Sequence, residues 1–146
     1  MFLVPCLPLA WKERDHEAIR KTETNALNLW QQSAIGFNGV QANIVGDPTN
    51  NPLSRLKISI NKNIFKSSAA SIAQALSRCE TPIIVRDHEV ELGYFQLDPC
   101  NLADGHAEIV ASNLHNVLKS ASINPLSEVD LDEHRNSSIQ GYLDWK

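Results

Sequence analysis

The densest group of ionisable side chains beside an apolar run is Arg86, Asp87 and His88. Arg86 follows Ile83–Val85, and its planar, permanently charged guanidinium can hold a carboxylate or a phosphate through two hydrogen bonds. The other interpretation is that Arg86 pairs with Asp87 or Glu89 at the rim of a sheet. Spacing alone favours this second interpretation, so on these grounds the anion contact is an open hypothesis.

The other polar groups lack the spacing of a known reaction centre. Side chains of adjacent strand residues point to opposite faces, so Asp87 and His88 do not form an oriented acid–base pair. The remaining histidines lack zinc-ligand spacing, and no phosphate-binding loop, nucleophile elbow or dinucleotide motif occurs. We therefore predict no catalytic residue and no metal site. A basic group that we interpret as a solvated face consists of Arg55, Lys57, Lys62 and Lys66.

Length and composition indicate one globular domain. The chain has 146 residues, of which 42% are hydrophobic and 21% are charged, and this is typical of a soluble protein with its own core. A net charge of −4 disfavours nucleic-acid binding. Cys6, Cys79 and Cys100 cannot all pair within one chain and form no C-x-x-C motif, which favours a reducing, cytoplasmic environment.

The first residues are apolar but do not have the pattern of a targeting signal. Phe2–Trp11 has no basic region before it and is interrupted by Pro5 and Pro8, so we expect neither a signal peptide nor a membrane span. We interpret residues 1–12 as an apolar lead-in. We expect either a neighbouring large domain or another copy of the chain to cover it.

The periodicity of apolar residues predicts the elements that position Arg86. Strict alternation predicts two half-buried strands, Val40–Val45 and Arg55–Ile60. Two further runs, Pro82–Arg86 and Glu91–Asp98, are rich in β-branched and aromatic residues and predict a hairpin around Asp87–Glu89. Helical spacing predicts three helices: Glu13–Gln32, one that Ser67 or Ser68 caps and Pro82 follows, and one that opens near Asp104 and ends at Asn124-Pro125.

This order of elements, α-β-β-α-β-β-α, predicts a two-layer α/β sandwich of the α+β type. Short loops favour antiparallel neighbours, so we expect a small, mostly antiparallel four-stranded sheet with helices on one face. Within the hairpin, Gly93 indicates a close backbone contact or a bulge. We place the domain at residues 13–122 and interpret residues 123–146 as a polar, mobile tail.

The hairpin region resembles the C-terminal small domain of pyridoxal-phosphate enzymes related to bacterial L-seryl-tRNA(Sec) selenium transferase. The greater likeness is to the D-glucosaminate-6-phosphate ammonia-lyase-like branch of that family. The resemblance rests on Thr81–His88, Gly93–Pro99, Leu102 and Ala107–Val110. Weaker likeness extends to Asp15–Glu17, Gly39–Ala42 and Arg55–Ile58.

The resemblance implies an aspartate-aminotransferase fold in which a separate large domain carries the cofactor lysine. Nothing in this sequence looks like that large domain, so the chain by itself is expected to bind no pyridoxal phosphate. By analogy, Arg86 would contact the acidic group of the substrate. The prediction is therefore a small-domain fragment of a pyridoxal-phosphate-dependent lyase or transferase, inactive alone. The alternative is a free-standing module that binds a small anion or a partner protein.

Overall fold

The structure is a computed structural model that describes residues 14–133, 135–136 and 139. The apolar lead-in at residues 1–12 and the last part of the tail predicted at residues 123–146 lie outside these described residues.

Two strands form where the sequence alternates apolar and polar residues, as predicted. Strand β1 spans Val40–Gly46 and strand β2 spans Ser54–Ile60, and the two strands pair antiparallel. In β2, Leu56 and Ile58 are fully buried, whereas Lys57 and Ser59, which alternate with them, are half-buried. Because strand side chains alternate between faces, the pair has one apolar and one polar face.

A third strand completes the sheet. Strand β3 spans Tyr94–Leu97 and pairs antiparallel with β2, which places Phe95 opposite Ile58. In the described part of the chain the strand order is β1-β2-β3, so the prediction of four strands is wrong by one. The missing strand is the first arm of the predicted hairpin, Pro82–Arg86, which pairs with β3 through the isolated bridge between Arg86 and Gln96.

Local backbone chemistry explains why Pro82–Arg86 does not become a strand. Pro82 has no N–H to donate, and the N–H of Ile83 donates instead to Leu76 O at 3.0 Å. After Arg86 the chain turns into a 3₁₀ helix, Val90–Leu92, which ends at Gly93 with φ of 85°. A Cβ on Gly93 would lie 3.3 Å from Ile60 O, so the predicted close backbone contact at this glycine is confirmed.

Two of the helices begin at a residue whose side chain accepts a hydrogen bond from a first-turn N–H group. Asp15 Oδ1 accepts a hydrogen bond from Ala18 N at the start of one helix, and Ser68 accepts from Ser71 N at another. No helix in the described ranges is both long and apolar enough to cross a bilayer. The helices are α1 (His16–Ala34), the short α2 (Lys62–Phe65), α3 (Ala69–Ser77) and α4 (His106–Ile123).

The core lies between the helices and the apolar face of the sheet. Trp30 of α1, Phe95 of β3 and Leu114 of α4 are each 1% exposed or less. The indole Nε1 of Trp30 donates to Ala107 O at 2.9 Å and so joins α1 to the first turn of α4. This arrangement confirms the predicted α+β two-layer fold class.

The chain beyond α4 also contacts the domain. Ser67 Oγ accepts a hydrogen bond from Leu126 N at 3.0 Å, and Ser71 Oγ donates to Ser127 O at 2.8 Å. Both serines are at most 3% exposed, and Val129 packs against the core. Residues 126–129 therefore lie against the domain. The predicted domain boundary at residue 122 and the predicted mobility of the tail stay predictions.

Candidate functional site

The backbone of Arg86 is fixed against the outer edge of β3. Arg86 N donates to Gln96 O at 2.8 Å, and Gln96 N donates to Arg86 O at 3.0 Å. Directly opposed residues of an antiparallel pair have their side chains on the same face, so Arg86 and Gln96 share a face of the sheet. The Arg86 side chain is 44% exposed, which leaves its guanidinium accessible to a ligand.

A chain of alternating charges runs along this face to Arg86. Arg55 Nη1 lies 2.9 Å from Asp47 Oδ1, and Arg55 Nε lies 3.0 Å from Asp98 Oδ2. The same Asp98 oxygen lies 4.0 Å from Arg86 Nη1. Arg55 thus makes two short carboxylate contacts. Arg86 makes one longer contact, to Asp98, which already forms an ion pair with Arg55.

Hydrogen bonds keep the two carboxylates ionised. Burial alone raises the pKa of Asp98, but the hydrogen bonds from Cys100 and Arg55 outweigh burial and place the pKa below its ordinary value. The pKa of Asp47 is lowered by the Thr49 hydroxyl and by Arg55. In turn, the contact with Asp47 raises the pKa of the Arg55 guanidinium. Asp47, Asp98 and Arg55 are therefore all charged at neutral pH.

A cavity of about 260 Å³ opens beside Arg86 and Asp98. Its lining includes Ile84, which is 80% exposed, and Trp30, which is 1% exposed. His106, at the start of α4, is also among the lining residues. A cation at the rim of a mostly apolar cavity is the arrangement that binds a small organic acid by its charged end.

The other sequence-predicted groups are placed apart from this cavity. Lys62 pairs with Glu128 at 3.0 Å, and Lys66 Nζ donates to Asn63 O at 2.7 Å, as expected for a solvated face. For Arg55 that interpretation is wrong, because its side chain is only 13% exposed and contacts two carboxylates. Glu89 accepts the hydroxyl hydrogen bond of Tyr94. Within the part of the chain that the structure describes, no group of three histidine, cysteine or acidic side chains is arranged to hold a metal ion.

The described residues do not fit pyridoxal phosphate. A lysine that forms an aldimine needs an enclosed position and an acidic group placed to face the cofactor ring. Lys57 is half-buried, and its ammonium lies 3.7 Å from the centre of the Tyr94 ring. The other lysines in the described ranges are exposed: Lys21, Lys62, Lys66 and Lys119.

Sequence reasoning identified Arg86 but missed Asp98, its neighbouring carboxylate. A signal was present, because β2 and the stretch that contains β3 both alternate polar residues with apolar ones. When two such strands pair, their polar series must share a face. Those series are Arg55, Lys57 and Ser59 on one strand and Tyr94, Gln96 and Asp98 on the other.

A similar fold occurs in a larger enzyme. The chain matches a solved structure of D-glucosaminate-6-phosphate ammonia-lyase with a TM-score of 0.58 at 21% sequence identity. The match covers 69% of this chain and 27% of the chain of the enzyme. It therefore spans about a quarter of the enzyme's length. No protein-family model and no curated protein matches the sequence. At this identity the likeness establishes a shared fold.

Proposed function

We propose that this chain acts as the small domain of a pyridoxal-phosphate-dependent lyase or transferase and requires a lysine-bearing large domain for activity. The observation that carries the proposal is the fold match to part of D-glucosaminate-6-phosphate ammonia-lyase. The sequence resemblance of Thr81–His88 and Gly93–Pro99 to the same group of enzymes supports it. The exposed lysines, which are unsuited to hold the cofactor, are consistent with a chain that serves another part of the reaction.

The contribution we assign to this domain is substrate binding through Arg86. Its backbone is held by two hydrogen bonds to Gln96, while its side chain is 44% exposed at the rim of the cavity. The 4.0 Å separation from Asp98 leaves guanidinium N–H groups available to a carboxylate or a phosphate. Arg86 would orient the acidic end of a substrate whose reacting end lies in the large domain.

The first experiment tests the need for a large domain. Purified chain is mixed with pyridoxal phosphate and reduced with borohydride, and the modified lysines are located by peptide mass spectrometry. We expect low, scattered labelling across the exposed lysines. Stoichiometric labelling of one lysine would overturn the proposal, because it would show that this chain forms a cofactor site by itself.

The second experiment tests the role of Arg86. Titration with D-glucosaminate 6-phosphate is followed by two-dimensional NMR in the wild type, in Arg86→Ala and in Arg78→Ala, which removes another exposed arginine. We expect Arg86→Ala to weaken binding by about tenfold, the loss typical of a charge-assisted hydrogen bond. Equal affinity in the two variants would reject a ligand contact by Arg86.

The second candidate function is a free-standing binding module. The observation that favours it is that the domain has its own core, in which Trp30, Phe95 and Leu114 are buried without help from another domain. A module would bind its anion or partner protein tightly with no added large domain. The affinity of the isolated chain separates the two proposals: a fragment without its large domain should bind a sugar phosphate only weakly, whereas micromolar binding that is lost in Arg86→Ala would favour the module.

The apolar lead-in at residues 1–12 gives a further distinction. If a large domain normally covers it, the isolated chain should self-associate through that segment. Analytical ultracentrifugation should then show a concentration-dependent dimer that disappears when residues 2–11 are deleted. A full-length chain that stays monomeric at high concentration would count against the fragment proposal and against a homo-oligomer formed through this segment.

A further inference from the structure

The chain beyond α4 lies against the first turn of α3 as a strap, which consists of residues 126–133 and 135. Leu126 N donates to Ser67 Oγ at 3.0 Å. Ser71 Oγ donates to Ser127 O at 2.8 Å. Among the described residues, Ser67 and Ser71 are the buried polar ones, at 2% and 3% exposed. The strap thus covers both hydroxyl groups and bonds to them through its main chain, which fixes its path across the domain.

The strap has few buried side chains. Leu126, Val129 and Leu131 are half-buried and pack against the core, whereas the other described strap residues are exposed. A segment with few buried apolar contacts opens locally at a lower free energy than the core does. We therefore expect the strap to open and close while the rest of the domain stays folded.

The turn of residues 87–93, which joins Arg86 to β3, has little stability of its own. Within this turn Val90 is buried, at 6% exposed, and all other residues are half-buried or exposed. Val90 N donates to Asp87 O at 3.1 Å, and Gly93 N donates to Val90 O at 3.0 Å. Because the hydrogen-bond geometry of a short 3₁₀ turn is poor, these bonds hold the turn only weakly.

The strap contacts this turn in two ways. Val129 and Leu131 line a cavity of about 190 Å³ together with Val90. Arg135 Nη2 lies 3.1 Å from Glu91 Oε2, the carboxylate of the next residue of the turn. The buried residue of the turn and its charged neighbour are thus both next to the strap.

We propose that the docked strap holds the turn of residues 87–93 in place and thereby positions Arg86 at the rim of its cavity. Arg86 pairs with Gln96 through a single bridge, and this bridge closes the loop that contains the turn. Closing a loop that is already ordered costs less conformational entropy than closing a mobile one, so the bridge is more stable while the strap is docked. The consequence for substrate binding rests on the role proposed above for Arg86. The positioning itself is a property of the folded chain, and its test needs no ligand.

Amide hydrogen exchange of the full chain, followed residue by residue by two-dimensional NMR, tests the proposal with three variants. Val129→Asn puts a polar side chain into the apolar contact between strap and turn. Arg135→Gln removes the ion pair with Glu91, whose two side chains are 52% and 44% exposed. The control Ile123→Asn makes a matching change at a residue that is 69% exposed and ends α4, close to the strap in sequence.

The expected result is faster exchange confined to the turn and the bridge. Val129→Asn should accelerate the exchange of turn amides, such as that of Val90, about tenfold, because a half-buried apolar contact is lost. The bridge amides of Arg86 and Gln96 should accelerate with them. Arg135→Gln should accelerate the same amides about twofold, since an exposed ion pair contributes little. The amides of α1 in these variants, and all amides in the control, should exchange as in the wild type.

Equal acceleration throughout the chain would overturn the proposal, because the strap would then contribute only to global stability. Unchanged turn amides in Val129→Asn, or the same acceleration in Ile123→Asn, would also overturn it. If the turn amides accelerate while those of Arg86 and Gln96 do not, the strap does not position Arg86. If circular dichroism shows that Val129→Asn fails to fold, Arg135→Gln decides, because the loss of an exposed ion pair leaves the fold intact. Unchanged exchange at the turn in Arg135→Gln would then reject the proposal.

Discussion

Arg55 and Asp98 face each other at the ends of two neighbouring strands, with Arg55 Nε 3.0 Å from Asp98 Oδ2. Arg55 precedes Leu56 and Asp98 follows Leu97, and these two leucines are direct partners in the ladder between β2 and β3. The contact therefore ties the end of β3 to β2 and holds a carboxylate beside Arg86. The geometry of the candidate site depends on this pair.

Arg55→Met should destabilise the domain more than Lys62→Met. Arg55 is 13% exposed and contacts Asp47 and Asp98, so its removal takes the cation from Asp47 and leaves Asp98 with only the long contact to Arg86, in a partly buried place. The pair of Lys62 and Glu128 is 63% and 71% exposed, and its loss should change the free energy of unfolding by about 0.5 kcal/mol or less. Urea denaturation measures both. Equal losses would show that the Arg55 contacts contribute no more than a surface pair.

The stability of the domain should fall in acid because of Asp98. Its folded-state pKa lies below the ordinary value, since the hydrogen bonds from Cys100 and Arg55 outweigh the effect of burial. A carboxylate of this kind stabilises the fold fully above its unfolded pKa of about 4, and the stabilisation is lost as the pH falls toward the folded-state pKa. The free energy of unfolding, measured from pH 6 to pH 2, should therefore depend less on pH in Asp98→Asn. If the wild type and Asp98→Asn lose stability in parallel as the pH falls, Asp98 is not a source of the pH dependence.

Cys100 should be a slow nucleophile although it is exposed. Partial burial of the thiol and the neighbouring Asp98 carboxylate raise the pKa of Cys100 to about 12. In a background with Cys6 and Cys79 changed to serine, alkylation by iodoacetamide at pH 8 should be about a hundredfold slower in the folded chain than in urea. Asp98→Asn should accelerate the reaction of the folded chain. The same rate in folded and unfolded chain would refute the raised pKa.

Gly39→Ala should cost more stability than Gly36→Ala. Both glycines have positive φ, of 87° and 97°, so a side chain at either position brings backbone strain of about 1 kcal/mol. A Cβ on Gly39 would also lie 2.9 Å from Phe65 N, whereas a Cβ on Gly36 would meet nothing within 4 Å. We expect losses of about 2–4 kcal/mol for Gly39→Ala and about 1 kcal/mol for Gly36→Ala. Comparing the two variants by urea denaturation isolates the steric contribution at Gly39. Equal losses of stability in the two variants would rule that contribution out.

The local sequence pattern was sufficient to predict the elements that carry a strong signal, such as strict alternation or a capping serine. Alternation in Arg55–Ile60 predicts a strand with Leu56 and Ile58 inward, and both are fully buried in β2. The predicted serine cap before α3 is Ser68, because its hydroxyl accepts from the free N–H of Ser71. These features follow from contacts between residues that are near each other in the chain, so a short stretch of sequence is enough to specify them.

The sequence by itself thus determined the fold class and two of the three strands, with the inward face of β2. Tertiary structure decided that Pro82–Arg86 contributes a single bridge, since the N–H of Ile83 is taken by Leu76 O from the end of α3. It also decided that Lys57 and Arg86 share a row with Gln96 between them. The physical reason is register: pairing between distant strands depends on the packing of the whole sheet against the helices, and no local pattern encodes it.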